Sequence, residues 1–126
     1  MSARRVLLVE DDLALSGYLA SSLIDAGYAV QSVSHRAEAG VRLALAPLPQ
    51  LMLLDLGLPP HASGMGEGLA VLDDALQKSP AIKVIVLTGQ DEDAAALEAI
   101  RRGAFDFLIK PAPPHSKPSV GAPLIS

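Results

Sequence analysis

Residues 51–60 read LMLLDLGLPP. Four apolar residues, Leu51 to Leu54, run directly into a carboxylate, Asp55, and a Gly- and Pro-rich stretch follows. A run that is apolar on every side suits a strand buried on both faces, the habit of parallel sheets. An acid placed straight after it is costly to bury unpaired, so Asp55 requires a partner.

The same grammar recurs on both sides. Val6 to Val9 is an apolar run ending in Glu10-Asp11-Asp12, Ile82 to Leu87 ends at Thr88, and Phe105 to Ile109 ends at Lys110. Tyr28 to Val33 alternates as a strand does. Between these runs lie helical patterns. Leu15, Leu19 and Leu23 repeat at helical spacing, and Gly27 closes them. Ala37, Val41 and Leu45 predict a second helix that stops before Pro47. Leu69, Leu72 and Leu76 predict a third, after a loop from Leu56 to Gly68. Asp91 is placed to cap a fourth, running to about Arg102. Strands alternating with helices predict a doubly wound α/β domain with five parallel strands. Residues 4–111 form that domain, and residues 112–126 an extended or disordered tail. Prolines at 111, 113, 114, 118 and 123 exclude a helix there.

Composition narrows the classes. The 126 residues suit one domain, and half of them are hydrophobic while 3% are aromatic, so Leu, Val, Ile and Ala must build the core. Cysteine is absent, which excludes disulfides and thiolate metal sites and agrees with a cytoplasmic location. A net charge of −4 argues against nonspecific nucleic-acid binding. No apolar run is long enough to cross a bilayer. Arg4 and Arg5 before an apolar run resemble the start of a signal peptide, but Glu10, Asp11 and Asp12 interrupt it too early.

The strand ends carry the chemistry. Open parallel sheets bind ligands at the carboxyl ends of their strands. That edge gathers Glu10, Asp11, Asp12, Asp55, Thr88 and Lys110. Carboxylates a few ångströms apart repel, and one lysine does not neutralise them, so either some protonate or a cation binds. Oxygen ligands without Cys or His favour Mg²⁺ or Mn²⁺. The inventory fits phosphoryl transfer, with Asp55 as nucleophile.

VLLVEDD, LMLLDLGLPP, VIVLTG and GAFDFLIKP resemble the receiver domains of two-component response regulators, over about residues 4–111. The resemblance implies a flavodoxin-like sheet in the order 2-1-3-4-5. It implies a phosphoprotein and not an enzyme, apart from self-catalysed phosphorylation and dephosphorylation. Asp55 is then the phosphoacceptor and Asp11 a direct metal ligand. Glu10 holds a water of the metal, and Gly57 lends its carbonyl. Thr88 is the switch hydroxyl, Gly89 the small residue beside it, and Lys110 the phosphate-pairing lysine before a cis-favouring Pro111. Phe107 is the aromatic switch. The implied partners are a sensor histidine kinase, small phosphodonors such as acetyl phosphate, and a second copy of the chain; the implied output is transcription.

Two departures stand out. The long loop LGLPPHASGMGEG, with LTGQDEDAAALEAIRRGAFDF, resembles receivers of PEP-CTERM-associated response regulators. The proline-rich tail replaces the family's final helix, which leaves an apolar patch beside the first helix and removes half of the usual dimer surface. That suggests an altered or excised domain.

Plainer readings exist for each motif. Asp12 can simply cap a helix, Phe107 can be core, and Asp91-Glu92-Asp93 a solvated first turn. Gly64, Gly66 and Gly68 fit no phosphate-binding fingerprint and read as a loop. His35, His61 and His115 are scattered. A haloacid-dehalogenase-like phosphatase needs a second Asp where Gly57 stands. A flavin binder would be repelled by Glu10-Asp11-Asp12. A phosphorylation-silent scaffold would keep the site and lose the output.

Overall fold

The computed structural model describes residues 4–57, 66–90 and 92–110. Five strands alternate with four helices among them: β1 (Arg5–Val9), α1 (Leu13–Asp25), β2 (Ala29–Val33), α2 (Arg36–Leu43), β3 (Leu51–Asp55), α3 (Gly66–Lys78), β4 (Lys83–Thr88), α4 (Asp93–Arg101) and β5 (Asp106–Ile109). All strand pairs are parallel, in the order β2-β1-β3-β4-β5. The doubly wound reading and its strand order therefore hold.

The two faces of the sheet differ. Leu7, Val9, Met52, Leu54, Val84 and Val86 point to one side, where α2, α3 and α4 cover them with Leu43, Val71, Leu72, Ala75, Ala95 and Ala99. The other side carries Leu8, Leu53 and Leu87 under α1, with Leu19, Leu23 and Ile85 only partly buried. All four residues of β5 are exposed, Leu108 to 51%. Among the described residues, α1 is the helix that packs on this face. Residues 111–126, on which the missing final helix and the tail were read, lie outside them, as does Pro111.

Local chemistry explains the element ends. Leu15 N–H donates to Asp12 Oδ1 at 3.1 Å, so Asp12 is the N-cap of α1. Gly27, at φ 97°, turns the chain out of α1, and Gly103, at φ 113°, does the same after α4, in a region other residues avoid.

Two expectations fail. The stripe Ala37, Val41 and Leu45 does not face inward: Val41 is exposed, and Ala39 and Leu43 are buried instead. The two stripes lie two residues apart, hence on nearly opposite sides of a helix. Arg36 Nε, bonded to Asp74 Oδ2 of α3 at 3.0 Å, is consistent with the observed rotation. Nor does the loop run to Gly68. Helix α3 begins at Gly66, and Gly68 is buried within it. A Cβ on Gly68 would run into the backbone of Leu56, so the helix can cross the end of β3 only there. Gly64 lies outside the described residues.

Gly68→Ala is accordingly expected to cost at least about 2 kcal/mol in urea unfolding, through forced displacement of packed backbone. Gly40→Ala, on open space in α2, is expected to gain about 0.5–1 kcal/mol. Equal effects of the two would contradict the packing described.

Candidate functional site

Each strand ends on the same edge of the sheet. Glu10 follows β1 and is 1% exposed, Asp55 closes β3 at 2%, and Thr88 closes β4 at 1%. Lys110 follows β5, its N–H donating to the Thr88 carbonyl at 2.8 Å. The register places Asp55 beside Leu87, one residue before Thr88. Residues scattered from 10 to 110 in sequence thus meet in one pocket.

The Lys110 ammonium sits between two carboxylates, 2.9 Å from Asp55 Oδ1 and 3.4 Å from Glu10 Oε1. Gly57 N–H also donates to Asp55 Oδ1, at 3.1 Å. Asp12 N–H donates to the other oxygen of Glu10, Oε2, at 3.1 Å. Glu10 Oε1 itself is buried and accepts no hydrogen bond. Asp11 is exposed at the rim, yet Glu10, Asp11 and Asp55 each bring a carboxylate oxygen within 4.8 Å of the others. The described residues therefore form an oxygen-only cluster open to solvent at one side.

The charges do not balance. Burial pushes the Glu10 carboxyl up to about 7, with the nearby Asp55 carboxylate adding to the effect; the Asp12 amide and Lys110 oppose it. Asp11 is raised as well, by burial first and then by Asp55. Burial pulls Lys110 down, but Asp55 and Glu10 outweigh it, and the ammonium is held more firmly than usual. A divalent cation fits such a donor set: three carboxylates converge, one of them has an orphaned buried oxygen, and no soft ligand is present.

Thr88 Oγ1 is likewise buried without a partner, a hydroxyl aligned with nothing in this state. Gly89, next in the chain, donates its N–H to Glu92 Oε1 at 2.6 Å. The sequence reading missed that contact. Glu92 was read as part of an acidic first turn, and the Gly-x-x-Glu spacing of a returning cap was the available signal. Glu92 occupies the N-cap position of α4; Asp91, expected there, lies outside the described residues. Phe107 is 38% exposed on edge strand β5, paired with Val86, and so lies on the α4 side of the sheet and not in the core. His35 is exposed and apart from the site, and His61 and His115 lie outside the described residues.

Residues 6–116 match the family model of the response regulator receiver domain. The nitrogen assimilation regulatory protein NtrX of Azorhizobium caulinodans is 33% identical over 109 residues, covering 86% of this chain and 23% of that protein. The acid tolerance regulatory protein ActR of Sinorhizobium medicae is 35% identical, covering 86% of this chain and 53% of its own. The chain thus spans from 23% to 53% of these relatives' lengths. Among solved structures, the receiver domain of NtrX from Brucella abortus aligns with a TM-score of 0.73 at 30% identity, covering 86% of this chain and 87% of that one. A CheY-like receiver domain protein from Methanospirillum hungatei JF-1 gives 0.76 at 27% identity, covering 90% and 86%. No helix among the described residues is long and apolar enough to cross a membrane. A parallel sheet that gathers acids and one lysine at its carboxyl edge, and a family match across most of its length, lead to one assignment: this chain belongs to the response regulator receiver domains of two-component systems.

Proposed function

We propose that this domain accepts a phosphoryl group on Asp55 from a sensor histidine kinase, or from a small donor such as acetyl phosphate, and passes the change to a transcriptional output. The observation that supports this best is the Lys110 ammonium fixed 2.9 Å from Asp55 Oδ1, beside the Glu10–Asp11–Asp55 cluster. Lys110 and Gly57 occupy Oδ1, which leaves Oδ2 as the attacking atom. That oxygen forms the bond to phosphorus as the bond from phosphorus to the donor's leaving group breaks, giving an acyl phosphate. The ammonium then neutralises charge on the transferring oxygens. Glu10, Asp11, Asp55 and the Gly57 carbonyl are the residues that would hold Mg²⁺ or Mn²⁺, which supplies charge neutralisation for phosphoryl transfer.

The new dianion offers acceptors that the pocket lacked. Thr88, with its hydroxyl unpartnered and buried, gains a bond by moving toward it, and Phe107 follows from its half-exposed position. The transcriptional output is carried over from relatives named as regulators, of which the chain spans only part. The narrower likeness to PEP-CTERM-associated regulators rests on residues 87–107 and on a loop that lies largely outside the described residues.

Mass spectrometry after acetyl phosphate treatment tests the acceptor. Asp55→Asn and chelation of Mg²⁺ are each expected to abolish labelling; Mg²⁺-dependent labelling that survives in Asp55→Asn would refute the assignment. Lys110→Ala is expected to retain some labelling but lose the conformational change read by NMR.

Glu10 gives a pH test. Its folded pKa, about 7, lies above the ordinary 4.5. Between those values the folded chain keeps a proton that the unfolded chain has lost, so raising the pH costs stability. Without metal, stability is expected to fall by about 1–3 kcal/mol from about pH 5 to about pH 7.5. Stabilisation by Mg²⁺ should grow over the same window, because the cation needs the ionised acid. Glu10→Gln should flatten both profiles, and a flat wild-type profile would reject burial of a reluctant acid.

A further inference from the structure

The contact between Gly89 and Glu92 is not used by the chemistry proposed above, yet it lies beside it. The Gly89 N–H donates to Glu92 Oε1 at 2.6 Å, and Glu92 N–H returns to the Gly89 carbonyl at 3.3 Å. A bond this short to an ionised acceptor is of the stronger class. Glu92 stands at the N-cap position of α4, but its side chain caps no amide of that helix. A carboxylate that would be favourable at a helix start is turned away from it. A Cβ at Gly89 would press on this carboxylate, 3.2 Å from Glu92 Oε1 and 3.3 Å from Cδ. On the other side of the Thr88–Gly89 peptide, Thr88 Oγ1 is buried and unpartnered. One end of this short loop is therefore tied to an anion already on the protein, while the hydroxyl next to it has none.

We propose that Glu92 is a positioning residue for the switch. It holds the loop after β4 in the unphosphorylated arrangement by occupying the Gly89 amide. This rests on the reading of Asp55 as phosphoacceptor. For Thr88 to reach a phosphoryl group on Asp55, the peptide that follows it must move, and the Gly89–Glu92 bond is the restraint on that motion. Its release also frees the carboxylate to cap α4, so the start of that helix changes with the state of the pocket. Glu92 sets the gap between the two states without touching the reacting atoms.

The test compares acetyl phosphate labelling of Asp55, at saturating Mg²⁺, in wild type, Glu92→Ala, Glu92→Gln, Glu92→Asp and Asp93→Asn. Glu92→Ala is expected to raise the labelled fraction or rate about 10-fold, the scale of one charge-assisted hydrogen bond. Glu92→Asp, too short to reach back, should behave like Ala. Glu92→Gln, which keeps an acceptor oxygen, should fall between Ala and wild type. Asp93→Asn, a neighbouring charge change, should match wild type. In NMR spectra of the unphosphorylated chain, the Gly89 amide should be shifted and slow to exchange in wild type and normal in Glu92→Ala. A general loss of stability would lower labelling in Glu92→Ala and would not be rescued by Gln. Labelling of Glu92→Ala at the wild-type rate, or identical gains in Gln, Ala and Asp93→Asn, overturns this proposal alone. No labelling of the wild-type chain overturns the acceptor reading and this one together.

Discussion

One lysine against three carboxylates is the constraint on which this molecule turns. Lys110 reaches Asp55 and Glu10, and it is the cation within ion-pair distance of them among the described residues. A buried ion pair contributes little net stability once desolvation is counted, and an uncompensated buried acid costs a good deal. The pocket is therefore under electrostatic tension by construction. Glu10 answers by holding its proton nearly to neutrality. A bound divalent cation would answer better, since it replaces the proton and satisfies the orphaned oxygen. A site optimised for the stability of the bare chain would not look like this. The residues fit a site whose best state includes a ligand.

The sheet makes this tension possible. Parallel strands all deliver their carboxyl ends to one edge, so four residues separated by up to 100 positions converge without a long loop. The backbone between them is rigid where it matters: β1, β3 and most of β4 are buried, with Leu8, Leu54, Val84 and Val86 fully enclosed. The same sheet is loose on its other margin. Edge strand β5 is exposed along its whole length, and the α1 face has few fully buried residues. Lys110 is thus held by a weakly packed strand, whereas Asp55 is held by the core.

The strand ends were legible in the sequence because two signals coincide there: an apolar run long enough to be buried, and an abrupt polar residue that burial alone forbids. That coincidence marks Glu10, Asp55 and Thr88, whereas Lys110 follows an exposed strand that contains Asp106 and is marked by its place at the strand end and by the family resemblance. Gly68 was not legible, because glycine argues for a loop until one sees that a helix must cross the backbone of Leu56. The orientation of α2 was not legible either. Ala39 with Leu43 and Val41 with Leu45 are equally good stripes, and only the neighbouring helix chooses between them. Glu92 was obscured by its acidic neighbours, since composition alone cannot separate a solvated charge from one that turns back onto an amide.

The geometry around residues 88 and 89 ties these observations together. A two-state element needs each state to satisfy what the other leaves open. Here the Gly89 amide is satisfied by Glu92 while the Thr88 hydroxyl is not. Leaving a buried hydroxyl unpaired costs about 1–3 kcal/mol, and a short bond to a carboxylate offsets an amount of that order. Both terms act on the same short stretch of chain. Under the proposed function, a dianion on Asp55 would give the hydroxyl its acceptor. Helix α4 starts at residue 93, shortly after the end of β4, and its buried residues are Ala95, Ala96 and Ala99. Ala95 and Ala99 belong to the main core cluster on that face of the sheet, so a change at the start of α4 would reach the packed core through small side chains that each bury little surface.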